Sequence, residues 1–169
     1  MMSALLALTL VAGEFDAGGN VAGIFPLGGF GLHQSSTALL GAHVGYGGSR
    51  LRVEASYGYA TLPGLQASPY RLALHLVRLA GGYQFLARPD WGLEAVVGTG
   101  YGRGVRSFSD GRETGGVGVG SVGLNFVQRA ADARLSVGLC EDVLLEGDGL
   151  DRLALSQLLS VRAGVSYVF

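Results

Sequence analysis

The chain has 169 residues, a net charge of −1, 15% charged side chains, 30 glycines and one cysteine, Cys140. That is enough for one domain with its own core, offers no basic surface for nucleic acid, and excludes an internal disulfide or a cysteine-only metal site. No apolar run reaches the ~18 residues of a membrane-spanning helix, and the glycines follow no Gly-X-Y period.

Residues 1–13 read MMSALLALTLVAG, an apolar block ending in small residues. They resemble the core and cleavage region of a secretory signal peptide, with cleavage near Ala12 or Gly13. The positively charged segment that opens such signals is missing, so either the true start lies upstream or the signal is weak. Residues 14–169 read as a single domain.

Along 14–25, Phe15, Ala17, Gly19, Val21 and Gly23 alternate with Glu14, Asp16, Gly18 and Asn20. A period of two predicts a strand with unlike faces. Pro26 is expected to end it, and 26–37 to form a Gly/Ser-rich loop. A second strand, 38–46, sets Leu40, Ala42, Val44 and Tyr46 against His43, and Gly47, Gly48 and Ser49 predict a tight turn. The third, 51–59, is the clearest: Leu51, Val53, Ala55, Tyr57 and Tyr59 alternate with Arg52, Glu54, Ser56 and Gly58. Residues 61–71, with Pro63 and Pro69, form a second long loop.

The fourth strand, 72–85, presents Val77, Leu79, Gly81, Tyr83 and Phe85 on one face and Arg78, Ala80, Gly82 and Gln84 on the other. His75 falls on the apolar face. Arg88, Pro89 and Asp90 turn the chain into a fifth strand, 91–101, with Trp91, Leu93, Ala95, Val97, Thr99 and Tyr101 opposite Glu94, Val96, Gly98 and Gly100. Residues 102–115 are expected to be a third long loop. In the sixth strand, 116–127, Val122, Leu124 and Phe126 mark the apolar face; Val117 and Val119 then oppose it unless a bulge shifts the register. The seventh, from Ala133, sets Leu135, Val137 and Leu139 against Arg134, Ser136, Gly138 and Cys140. Residues 141–153 are expected to be a fourth loop with a Glu146-Gly147-Asp148-Gly149 tip.

The last stretch, 155–169, decides which face meets which solvent. Leu155, Gln157, Leu159, Val161, Ala163, Val165, Tyr167 and Phe169 share one face; Ser156, Leu158, Ser160, Arg162, Gly164, Ser166 and Val168, mostly small or polar with one charge, share the other. At ~3.3 Å per residue and a tilt near 45°, Arg162 lies roughly 16 Å above the end of the chain, near the middle of an apolar band of ~25 Å. An arginine facing lipid there would cost about 2–4 kcal/mol. Arg162 is therefore expected inside a barrel and the Val/Ala/Tyr/Phe face outside, and the same rule, apolar out and polar or glycine in, applies to every strand.

The fold class expected is all-β, an eight-stranded antiparallel up-and-down transmembrane barrel. Four long and three short connections alternate, as in a barrel with both termini on one side. Phe15, Tyr46, Tyr83, Phe85, Trp91, Phe126, Tyr167 and Phe169 gather at the short-turn end, and Phe25, Tyr57, Tyr59 and Tyr101 at the other, like two interfacial girdles.

On these residues the chain resembles the eight-stranded outer-membrane barrels, of the kind of the OmpA transmembrane domain and OmpX, over 14–169. The resemblance implies an integral outer-membrane location and contact with outer-membrane lipid and lipopolysaccharide. It also implies a terminal signal, Val161, Ala163, Val165, Tyr167 and Phe169, read by the barrel-insertion machinery. Nothing corresponds to the peptidoglycan-binding domain of full-length OmpA, so a link to the cell wall is not expected; a monomer without cofactor is.

Eight charges are expected in the lumen: Glu14, Asp16, Arg52, Glu54, Arg78, Glu94, Arg134 and Arg162. Eight strands enclose an interior just wide enough for side chains to fill, and a buried unpaired arginine is costly, so a mutually paired polar filling is preferred over an ion path. The inward glycines, which leave room for water, argue the other way. His33-Gln34-Ser35 has the His-x-Ser spacing of the outer-membrane lipid A deacylase, but in a Gly/Ser loop with no acid near it in sequence, and a polar loop is the favoured reading. Gly118 to Gly123 match a dinucleotide fingerprint by letter, yet a strand continues where a helix should begin. No metal-ligand spacing occurs. The function expected is a non-enzymatic structural or adhesive envelope barrel with its loops as contact surface. The alternatives are a narrow porin-like channel, a lipid A-modifying enzyme, and a soluble lipocalin-like barrel with its faces reversed.

Overall fold

The computed structural model describes residues 13–48, 50–65, 70–146 and 156–169. The expected signal segment up to Ala12, the Gly147-Asp148-Gly149 tip, Leu155, Ser49 and Pro69 lie outside the described residues.

Among the described residues eight strands run in chain order: β1 (Glu14–Leu27), β2 (Thr37–Gly47), β3 (Leu51–Leu62), β4 (Arg71–Ala87), β5 (Trp91–Ser107), β6 (Arg112–Ala130), β7 (Ala133–Glu146) and β8 (Ser156–Val168). Each pairs antiparallel with the next and β8 returns to β1, closing the barrel. Closure leaves no free sheet edge, which is what a strand protein needs where water cannot satisfy backbone groups. A short helix, α1 (Gly28–Gly31), follows β1. It starts at Gly28 with φ +58, a left-handed backbone that glycine adopts without penalty.

The strands reach further on the loop side than the sequence suggests. Pro26 does not end β1: from Phe25 to Leu27 the strand pairs only with β8, its pairing with β2 having stopped at Ile24–Thr37, and proline is tolerated on a one-sided strand. The segment expected as a loop at 102–115 is a tall hairpin that turns at 108–111, closed by Phe108 N–H donating to the Gly111 carbonyl at 2.9 Å. Residues 141–146 likewise continue β7 instead of opening a loop. The short connections lie where expected, at the end that also holds both barrel termini.

Alternation assigns the faces. Val97 is 67% exposed, Leu40 62% and Val44 58%, and they belong to a wall of outward valines, leucines and aromatics. An apolar surface this continuous suits acyl chains and not water. Aromatic pairs ring the short-turn end: Phe15 with Tyr46 at 4.6 Å, Trp91 with Phe126 at 5.9 Å, Tyr167 with Phe169 at 5.0 Å. Arg52, Arg78 and Arg162 point inward, so the reversed, lipocalin-like arrangement is ruled out.

The rule of apolar outside and polar inside holds only in the short-turn half. On the loop side the lumen is itself apolar, filled by Ile24, Leu62, Leu74, Leu76, Leu158 and their neighbours, all essentially inaccessible. Val117 and Val119 belong to this layer; no register shift occurs between β6 and either neighbour, so they face inward without a bulge. Phe30, 2% exposed, drops from α1 into the same cluster and caps it.

Candidate functional site

Charged side chains converge in the polar half of the lumen, and three groups of ion pairs fill it. Nearest the short-turn end, Arg52 donates through Nε to Asp16 Oδ2 at 2.9 Å and through Nη1 to Glu54. His43 places Nε2 3.6 Å from the same Asp16. Across the barrel, Arg134 Nη2 donates to Glu94 Oε2 at 3.0 Å, with Asn125 Nδ2 at 3.5 Å from that oxygen.

Higher up, Asp142 is the hub. It is wholly inaccessible and accepts from Arg78 Nη2 at 2.7 Å, from Arg162 Nη2 at 3.0 Å and from the Ser121 hydroxyl at 2.6 Å. Arg162 also donates through Nε to Ser160 Oγ at 3.0 Å, and Ser160 in turn donates to the Cys140 carbonyl at 3.1 Å. A charge buried this deeply is tolerated only when paired and hydrogen-bonded, and each member here depends on the others.

Of the eight charges read from the sequence, Asp16, Arg52, Glu54, Arg78, Glu94, Arg134 and Arg162 meet in the lumen. Glu14 does not join them: it is exposed at the short-turn mouth and makes no ion pair among the described residues, because the strand begins there and water reaches it. Asp142 is the member that the sequence reading left in a loop. Its signal was present, since Arg134, Ser136, Gly138, Cys140 and Asp142 continue one period-two face.

The inward glycines are less empty than they look. A Cβ at Gly45 would meet Arg52 Cζ at 2.7 Å, and one at Gly82 would meet Glu94 Cδ at 2.7 Å. The charged side chains lie flat across these glycines. Within the charged half lie a cavity of about 80 Å³, lined by Asn20, His43, Ser56, Arg78 and Arg162 among others, and a vestibule of about 240 Å³ at the short-turn mouth, lined by Asp16, Arg52, Arg129 and Arg134.

The other candidates resolve simply. The Ser35 hydroxyl donates to the Pro63 carbonyl at 3.2 Å, and the backbone of the His33-Gln34-Ser35 segment is tied to the β3–β4 connection by Ser35 N–H to Pro63 O and Leu65 N–H to His33 O. Gly118 to Gly123 lie within β6, so no helix follows them. Among the described residues no group of three or more His, Cys, Asp or Glu side chains could hold a metal ion. Val161, Val165, Tyr167 and Phe169 are all exposed on the outer wall, and Phe169 N–H donates to the Phe15 carbonyl at 2.8 Å. His75 is on the outer wall too, with Nδ1 2.7 Å from the Tyr57 hydroxyl and its ring 4.9 Å from that of Tyr59.

No family model matches the chain, and no curated protein matches it. Solved structures do. Neisserial surface protein A superposes with a TM-score of 0.64 at 15% identity, over 92% of this chain and 97% of the other. The N-terminal β-barrel domain of Pseudomonas aeruginosa OprF gives 0.62 at 15% identity, over 93% and 99%. A major outer membrane protein from Thermus thermophilus gives 0.58 at 12% identity, over 94% and 100%. The fold is that of the eight-stranded outer-membrane barrels.

Proposed function

We propose that the chain is an integral outer-membrane barrel whose lumen is sealed and whose loop-side end is the working surface, in a structural or adhesive envelope role. One observation carries this reading. Above the charged chamber, Ile24, Leu62, Leu74, Leu76 and Leu158 fill the barrel, and Phe30 lies on top of them. An ion crossing that layer would shed most of its water; the buried polar groups on this side are Arg106, in register with Leu72, and Gln34. The fold likeness supports the membrane setting, and the apolar outer wall gives it a physical basis.

The loop-side end is built for contact. The β5–β6 hairpin carries the exposed Arg103, Asp110, Arg112 and Glu113 towards its tip. Tyr70 packs beside its turn, with its ring 5.4 Å from that of Phe108 and the Arg106 guanidinium 5.2 Å over it. The partners that fit this reading are outer-membrane lipid and lipopolysaccharide around the wall, and the barrel-insertion machinery at Val161, Ala163, Val165, Tyr167 and Phe169, with the chain acting as a monomer. Reconstitution into planar bilayers in molar potassium chloride tests the sealed lumen. The expected record shows no unitary step; a steady, defined conductance would overturn the reading in favour of a narrow pore.

A further inference from the structure

The outer wall is not alike all the way round. Strand register sets Arg71, Ser107 and Arg112 in one outward row across β4, β5 and β6, and Tyr59, His75 and Arg103 in another across β3, β4 and β5. Both rows continue the face of Tyr101, which is 61% exposed. Among the described residues every strand arginine on the outer face lies on β4, β5 or β6. Arg71, Arg103 and Arg112 are all exposed, and the ion pairs of the described residues belong to other arginines: Arg52, Arg78, Arg106, Arg134 and Arg162. No acid shares their face on β3 to β6. Glu54, Glu94 and Glu113 stand in inward rows, each beside an arginine.

Height puts these cations at the level of lipid headgroups. Arg103 is twelve residues beyond Trp91, which stands in the short-turn girdle. At ~3.3 Å per residue and a tilt near 45° that is roughly 28 Å, just past an apolar band of ~25 Å. Beside Arg103, the Tyr57 hydroxyl lies 2.7 Å from His75 Nδ1, and the Thr61 hydroxyl donates to the Tyr59 hydroxyl oxygen at 3.0 Å. These bonds fix the rings next to Arg103 and leave His75 Nε2 as the ring's remaining polar atom. Four residues along β5 separate the two rows, about 13 Å, and two strand spacings, about 10 Å, separate Arg71 from Arg112. A single phosphodiester reaches one of these cations; a headgroup with more than one phosphate reaches both levels.

We propose that this face of β4–β6 is a binding site for one lipid A molecule of the outer leaflet. Arg103 meets one phosphate of its disaccharide, and Arg71 and Arg112 meet the other. A guanidinium matches a phosphate with two parallel hydrogen bonds, and at the edge of the apolar band few other partners are offered to it. The site rests on the outer-membrane reading above and adds to it the side of the barrel, the residues and the lipid.

Native mass spectrometry of the protein refolded in neutral detergent, titrated with purified bis-phosphorylated lipid A, tests this. The expected spectrum shows one lipid A retained per barrel. Arg103→Gln should need roughly tenfold more lipid A for equal occupancy, the loss expected for one charged hydrogen bond, and Arg88→Gln at the short-turn end should need no more than wild type. Equal retention of lipid A stripped of its phosphates, equal retention of phosphatidylglycerol, or an Arg103→Gln titration that matches wild type would each overturn the proposal. In those outcomes the barrel has still assembled in detergent, so the membrane reading stands; a wild-type chain that stays in buffer would sink both. If the variant does not assemble, the wild-type comparison of the three lipids decides.

Discussion

The guanidinium of Arg52 lies directly on the backbone of Gly45, so close that a Cβ at Gly45 would meet Arg52 Nε and Cζ at 2.7 Å. The position is paired across the ladder with Glu54, and Arg52 uses the space above the glycine to reach Asp16. Gly45→Val should therefore expel Arg52 from its bond with Asp16 and lower stability by about 1–3 kcal/mol, as overpacking does. Gly81, on the outer wall with nothing within 4 Å of an added Cβ, is the control, and Gly81→Ala should change stability by no more than about 0.5 kcal/mol. Urea unfolding from lipid vesicles measures both.

Removing the hub charge should cost more. Asp142→Asn leaves the buried Arg78 and the part-buried Arg162 without a carboxylate, a loss of about 3–5 kcal/mol for a broken buried pair. The double variant Asp142→Asn/Arg162→Gln removes one of the stranded cations and should recover part of it. A double-mutant cycle by equilibrium unfolding gives the coupling; strict additivity would mean the hub is not a network.

Glu141 lies on the outer wall between Val122 and Leu159, one residue from the buried Asp142 and on the opposite face. It is partly buried in an outer groove with Leu139 and Leu124, where its carboxyl group faces the apolar wall. Glu141→Leu should raise stability in lipid by up to about 2 kcal/mol, since an acid in the apolar band costs less than an arginine. Unchanged unfolding midpoints in vesicles would place Glu141 above the band.

Phe30 anchors the first loop through a helix of one turn that packs against β1 and β8. Phe30→Ala should free residues 28–36 for protease attack from the loop side and, by emptying the top of the apolar cluster, lower barrel stability by about 3 kcal/mol. Limited proteolysis on intact vesicles reads the first effect and urea unfolding the second.

The sequence by itself determined the strand number, the faces and the end at which the chain terminates. Period two is a local property, and an arginine such as Arg162 flanked by Ser160 and Gly164 declares the inside wherever the strand is placed. It also marked seven of the inward charges, and the face that leads through Arg134 and Cys140 to Asp142. Alternation reports which way a side chain points but not how high it stands relative to a strand half a barrel away. That height follows from register and strand tilt, which only closure sets.

So the tertiary structure alone decided that Asp142 meets Arg78, 64 residues earlier in the chain, and that Gly45 makes room for Arg52. It alone decided that the inward valines, leucines and isoleucine of β1, β2, β3, β4, β6, β7 and β8 fall in one layer above the charges. Val117 and Val119 looked like exceptions within their own strand. Brought to one level, all these side chains divide the lumen into a polar well and an apolar stopper.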